Sequence, residues 1–116
     1  MQYMLLIYSD DAGEAAAQAM PPETRYAPWI AYTQALRAAG ALVKGDQLHP
    51  AHTATTVTMT GGNRRVQDGP FAATKEQLGG YYIIEAPDLD AALDWAAKCP
   101  GAHHGTIEVR PIVQMP

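Results

Sequence analysis

Two short segments of this chain, Tyr3 to Tyr8 and Tyr81 to Ile84, are apolar at odd and even positions alike. Successive side chains of an extended strand point to opposite faces, so Tyr3, Leu5 and Ile7 go one way while Met4, Leu6 and Tyr8 go the other. A strand that is oily on both sides belongs in the middle of a sheet with cover front and back. Leaving about five such side chains wet would forfeit on the order of 10 kcal/mol, at roughly 1.5–3 kcal/mol each. That is comparable with the whole stability of a small domain. Any fold of this chain must therefore find cover for two faces.

The remaining elements limit where that cover comes from. Asp10 to Met20 is an alanine-rich connection whose form the pattern leaves open, and Pro21-Pro22 then favours entry into a helix. The helix reads from Pro28 to Ala39, with Trp29, Ile30, Thr33 and Leu36 on one stripe and Gly40 as its stop. Ala41 to Leu48 and the threonine- and valine-rich Thr53 to Thr60 read as strands. Gly61-Gly62-Asn63 turns the chain into a short return strand, Arg64 to Gln67. A loop, Asp68 to Leu78, precedes the second central strand, Gly80 to Glu85. Asp88 is placed to cap a helix whose Leu89, Ala92, Leu93 and Ala96 form an apolar stripe, with Asp90 early and Lys98 late to suit the helix dipole. Pro100-Gly101 ends it, and Thr106 to Val113 is a last strand that Pro111 marks as an edge or an end.

Without the small hairpin, the order is strand, helix, strand, strand, helix, strand. Right-handed crossovers fold that order into an α+β, ferredoxin-like βαββαβ sandwich with both helices on one side. Two helices cover one face only. A face-to-face homodimer is the simplest cover for the other, since symmetric pairs are the commonest oligomers. The competing solution folds long loops, or the Asp10 to Met20 segment, over that face.

The totals exclude several function classes. The 116 residues, 47% apolar and 17% charged, suit one folded domain spanning 1–116 rather than a disordered tail. The net charge of -4 with only 8 Lys+Arg leaves no positive patch for a phosphate backbone, which argues against nucleic acid as a partner. The lone Cys99 cannot form an intramolecular disulfide and reads as a small buried hydrophobe. The N-terminal apolar run is too short to span a bilayer, has no basic flank and runs into Asp10-Asp11, so neither a membrane segment nor an export signal is expected. A cytoplasmic location follows. Gly61-Gly62 and Gly79-Gly80 lack the pattern of a phosphate-cradling loop, and no nucleophile elbow occurs.

The densest polar constellation is Asp68-Gly69-Pro70-Phe71-Ala72-Ala73-Thr74-Lys75-Glu76. It sets carboxylates, an ammonium and a hydroxyl beside one exposed aromatic. A carboxylate near an ammonium can serve as an acid–base pair when partly desolvated. The plain alternative is a turn held by the Asp68 side chain, with Lys75 and Glu76 in solvent. His49 and His52, His103 and His104, and Asp46 could in principle gather a divalent metal. Pro50 interrupts the first pair and adjacent histidines point apart, so solvated loop histidines are the better reading, and neither a metal nor a cofactor is expected.

Asp68-Gly69-Pro70-Phe71, Thr74-Lys75-Glu76 and Gly79-Gly80-Tyr81-Tyr82 together resemble the signature of the DGPF branch of the YciI-like (YCII-related) family. The resemblance extends through Leu36-Arg37-Ala38-Ala39-Gly40, Ala91-Ala92-Leu93-Asp94-Trp95-Ala96 and Glu108-Val109-Arg110-Pro111, and so covers nearly the whole chain. It implies a ferredoxin-like fold that pairs as a dimeric α/β barrel. The family's function is not established. A recurring His and Asp of its YciI branch fall at Trp29 and Cys99 here, so no His/Asp acid–base mechanism carries over. The leading expectation is a homodimer enclosing a cleft for a small organic ligand. Asp68, Lys75 and Glu76 are its candidate catalytic groups, with Asp68 as base and Lys75 as electrostatic partner. Trp29, Gly69, Pro70, Phe71 and Thr74 are its candidate ligand-binding residues. The second expectation is a regulatory module, because relatives in this branch are often encoded beside extracytoplasmic-function sigma factors. A monooxygenase by analogy of fold alone is a third, and fold does not imply function.

Overall fold

The computed structural model describes residues 1–116. Six strands and three α-helices follow in the order β1 (Gln2–Asp10), α1 (Asp11–Ala19), α2 (Pro22–Ala38), β2 (Leu42–Gln47), β3 (Thr55–Thr60), β4 (Asn63–Asp68), β5 (Glu76–Glu85), α3 (Leu89–Lys98) and β6 (Thr106–Pro111). Four strands form one antiparallel sheet in the order β2-β5-β1-β6, and β3 with β4 forms a separate two-stranded sheet. This mixed α+β architecture with antiparallel sheets is compatible with the ferredoxin-like fold expected from the element order.

The two strands apolar on both sides, β1 and β5, take the centre of the sheet and pair with each other from Gln2↔Glu85 to Asp10↔Glu76. On one face Tyr3, Leu5, Tyr82 and Ile84 are buried against Tyr32 and Leu36 of α2 and Ala92 and Ala96 of α3. Ile107 and Val109 of β6 pack against this core. On the other face Met4 lies beside Ile83 and Leu6 beside Tyr81. These four are only partly buried, and no helix packs over them. Cross-strand register brings Arg110 and Glu108 alongside Met4 and Leu6 at one edge, and Lys44 and Asp46 alongside Ile83 and Tyr81 at the other. An apolar centre with a charged border results.

The Asp10 to Met20 connection is a helix. The Asp10 carboxylate accepts from the Gly13 N–H at 2.7 Å and starts it, and the alanines that follow have the highest helix propensity. This helix buries no side chain and borders the same cavity as α2, so it does not clad the open face. Helix α2 begins at Pro22 and runs through Pro28. A proline inside a helix removes one N–H bond, here the one that would reach the exposed Thr24. The buried stripe also differs from the expected one, with Tyr32 buried and Ile30 56% exposed. In α3 the small Ala92 and Ala96 carry the contact and Leu89 and Leu93 stay exposed. Alanine lets a helix approach a sheet closely, which the larger leucines would prevent.

Gly61 and Gly62, both at positive φ (56° and 81°), make the two-residue turn between β3 and β4, as a tight hairpin requires. The hairpin leaves Val57, Met59 and Val66 exposed. Strand β5 starts at Glu76, inside the expected loop, and a register shift opposite Ile7 and Tyr8 absorbs Gly79. Strand β6 stops at Pro111, which has no N–H to continue the ladder. No helix is long and apolar enough to cross a membrane.

Candidate functional site

A cavity of about 630 Å³ opens between the sheet and helices α1 and α2. That volume lies within the range of pockets that hold small organic molecules. Its walls follow from the length of α2. A helix that starts at Pro22 places Tyr26, Trp29, Thr33 and Arg37 at intervals of three and four residues, on one side of the cylinder. All four line the cavity, together with Arg25. Helix α1 contributes Glu14 and Gln18, and the sheet contributes Tyr82 and the backbone of Gly45 and Gly80. At Gly45 an added Cβ would sit 2.5 Å from the Tyr82 ring, so glycine there makes room for the ring. At Gly101 a Cβ would stand 2.9 Å from Ile7 and 3.1 Å from Trp29, and its absence leaves room for both side chains.

Polar groups converge inside. The Thr33 hydroxyl and the Tyr82 phenol share a 2.6 Å hydrogen bond. Burial pushes the Tyr82 phenol up from its ordinary pKa, the Thr33 bond pulls it part of the way back, and the nearby Cys99 adds to the rise. It stays a neutral hydroxyl at physiological pH. Arg25 lies with its guanidinium 4.8 Å from the centre of the Tyr26 ring and donates from Nη1 to Gln18 at 3.1 Å. Its Nε is sealed from solvent and donates to no acceptor.

Beneath the helices Tyr32 donates to the Trp95 carbonyl at 2.6 Å and meets Tyr82 edge-to-face at 5.4 Å. Burial, with Cys99 and Tyr82 close by, drives the Tyr32 phenol well above its ordinary range. Cys99 is fully buried. Burial raises its thiol to about 11, against the opposing pull of the Gly101 and Ala102 backbone. A thiol held protonated is a poor nucleophile, so Cys99 acts as core.

Of the candidate catalytic and ligand-binding residues, Trp29 lines this cavity and the others do not; of the candidate metal ligands, Asp46 and His104 also border it. Asp68 is exposed at the end of β4, and Gly69 turns the chain at φ 95°. The Gly69 N–H donates to the Ala54 carbonyl at 2.7 Å, and its own carbonyl accepts from Thr56 at 2.8 Å. Pro70 and Lys75 are exposed, and Phe71 is 89% exposed. Thr74 donates to the Glu76 carbonyl at 2.6 Å, while the Glu76 carboxylate accepts from Thr106 at 3.0 Å. The loop is thus an ordered surface turn apart from the cavity. The histidines and Asp46 do not converge either, and no cluster of three or more His, Cys, Asp or Glu side chains is arranged to hold a metal ion. Asp46 instead accepts from the Tyr81 hydroxyl at 2.5 Å.

Sequence reading missed Arg25, Tyr26, Thr33, Arg37 and Tyr82 as cavity residues. The signal was the spacing in α2, which a start at Pro28 cuts off before Arg25 and Tyr26.

Fold and cavity together define a small α+β sandwich with a ligand-sized cleft between helices and sheet. The chain belongs to the YCII-related family, whose domain model matches residues 1–116. It is 37% identical over 114 residues to an uncharacterized protein of Rhizobium meliloti (strain 1021), a match spanning 97% of this chain and 92% of that one.

Proposed function

We propose that this chain is a homodimeric small-molecule-binding protein of the DGPF branch, acting in the cytoplasm, with the cavity beneath α1 and α2 as its ligand site. The cavity carries the reading, because it combines the right volume with aromatic walls and a few convergent polar groups. The second copy covers the sheet face bearing Met4, Leu6, Tyr81 and Ile83, giving a dimeric α/β barrel. An apolar centre bordered by Glu108, Arg110, Lys44 and Asp46 has the layout of a protein interface, with a dry core and a polar rim. The Asp68 to Glu76 loop lies apart from the cavity of its own chain, so its groups serve proton transfer on a ligand only when the second copy brings them there, with Asp68 as base and Lys75 as electrostatic partner. Thermal-shift screening of small organic compounds tests the ligand site. Binders are expected, and Ala17→Trp, which fills the cavity from α1, should abolish their effect while Val57→Ser leaves it intact. Binders indifferent to Ala17→Trp, or none at all, would reject the reading. Asp68→Asn and Lys75→Met test the loop, whose role is refuted if both variants turn over or bind an identified ligand as the parent does.

A second reading, a module that docks an extracytoplasmic-function sigma factor, is favoured by the exposed apolar groups Val57, Met59, Val66 and Phe71. Such patches serve protein contacts. It requires that a purified sigma factor encoded beside the chain bind it, and that Val57→Ser with Phe71→Ser abolish the complex without touching ligand binding.

A further inference from the structure

The charges around the cavity are unbalanced. Lys44 and Asp46 pair with each other at 3.7 Å, and the other ion pairs of the molecule, Met1 with Glu85 and Arg110 with Glu108, lie elsewhere. Arg25 and Arg37 both line the cavity, and neither has a carboxylate partner. Glu14, the α1 carboxylate that lines the cavity, accepts from the Gln18 amide at 3.0 Å instead. The arrangement is a chain, Glu14 to Gln18 to Arg25, that holds the guanidinium in place through a neutral intermediary and leaves its charge uncompensated.

Arg25 has one edge committed and one free. Nη1 donates to Gln18, the face lies over Tyr26, and Nε has no acceptor although solvent does not reach it. A buried donor left unpaired is costly. Nε and Nη2 form the side of the guanidinium that grips both oxygens of a carboxylate in two parallel hydrogen bonds. A ligand carboxylate on that edge would give Nε the acceptor it lacks while Nη1 keeps its bond to Gln18, and a charge-assisted bond is about twice as strong as a neutral one. Trp29 lies one helical turn beyond Arg25, and the Thr33–Tyr82 hydroxyl pair borders the same space. A group held at Arg25 therefore has an aromatic wall beside its body and a neutral hydroxyl pair within the cleft.

We propose, resting on the reading of this cavity as a ligand site, that it takes a small aromatic carboxylate, with the carboxylate on the Nε–Nη2 edge of Arg25 and the ring against Trp29. The guanidinium fork selects a planar two-oxygen anion, and Arg37 adds long-range attraction without being the direct partner.

The test titrates the full-length protein with benzoate, phenylacetate and indole-3-acetate, each beside its neutral amide and phenylacetate also beside phenyl phosphate. Binding is read by isothermal calorimetry and by Trp29 fluorescence in a Trp95→Phe background. At least one acid should bind at least tenfold tighter than its amide. Arg25→Met should remove that preference and Arg25→Lys, which keeps the charge without the fork, should retain only part of it. Equal binding of acids and amides, lost in Ala17→Trp, would overturn the carboxylate assignment and leave the cavity reading standing. A preference that survives Arg25→Met, or phenyl phosphate binding as well as phenylacetate, would overturn the role of the fork. If neither acids nor amides bind, the carboxylate assignment fails, and the cavity reading is decided separately by the wider thermal-shift screen.

Discussion

The two faces of the central sheet are built from the same kinds of residue and meet different fates. On the helix side Leu5 and Ile84 are fully buried among Tyr32, Leu36, Ala92 and Ala96. On the opposite side Leu6 and Ile83, one step along the same strands, are only partly covered. Their hydrophobicity is equal and their cover is not. The chain thus carries one finished core and one surface that has the composition of half a core, and burial energy alone separates the faces.

The sharpest way to break that contrast is to truncate neighbours on opposite faces. Leu5→Ala should cost about 2–5 kcal/mol in urea unfolding, at any protein concentration, because the cavity it leaves cannot collapse. On the proposed dimer, Leu6→Ala should instead show a loss that shrinks as the protein is diluted. Equal, concentration-independent losses would mean that the protomer covers both faces by itself.

Titration sharpens the contrast next. The Cys99 thiol is raised to about 11, so the unfolded chain loses this proton first as pH rises. Folded stability is then present in full below the unfolded value and should fall by on the order of 2 kcal/mol between about pH 9 and pH 11. The raised phenols of Tyr32 and Tyr82 extend the loss in the same direction above their unfolded values. Cys99→Ala should flatten the first part of the profile, as followed by chemical denaturation at fixed pH steps. An unchanged slope would show that the buried thiol is not what couples folding to alkali.

Placing a charge on the open face should affect assembly more than folding. Leu6→Glu is expected to weaken self-association at least tenfold, about 1.4 kcal/mol, in sedimentation velocity, while far-ultraviolet dichroism keeps the parent spectrum. Loss of the folded spectrum at every concentration would place Leu6 in the protomer's own core. The smallest effect belongs to the rim. The hydrogen bond to Asp46 is the main cause of the raised Tyr81 phenol, with desolvation and the carboxylate's charge adding to it. Asp46→Asn should therefore lower the Tyr81 titration toward the ordinary phenol value in an ultraviolet pH titration, with little change in melting temperature.

Much of this was readable from local pattern. Period-2 alternation located β1 and β5, Asp88 marked the start of α3 by the bond it accepts from Ala91, and Gly61-Gly62 marked the hairpin, because each signal acts over a few residues. The reading failed where one residue type permits two outcomes. Pro28 is compatible with a helix start and with a helix interior, and choosing the start hid the cavity face of α2. The polar density of Asp68 to Glu76 drew attention to a loop that the protomer holds away from Trp29. Arg25, by contrast, drew none, since one arginine among alanines and prolines has no pattern.

The sequence by itself determined which strands are central and that their two faces both demand cover, because side-chain alternation and transfer free energy are properties of residues taken a few at a time. Only the tertiary structure decided that α1 and α2 border one ligand-sized cleft, that Arg25 reaches it without a counter-charge, and that one oily face stays open. Those outcomes depend on which segments, far apart along the chain, come to lie against one another, and no local preference encodes that.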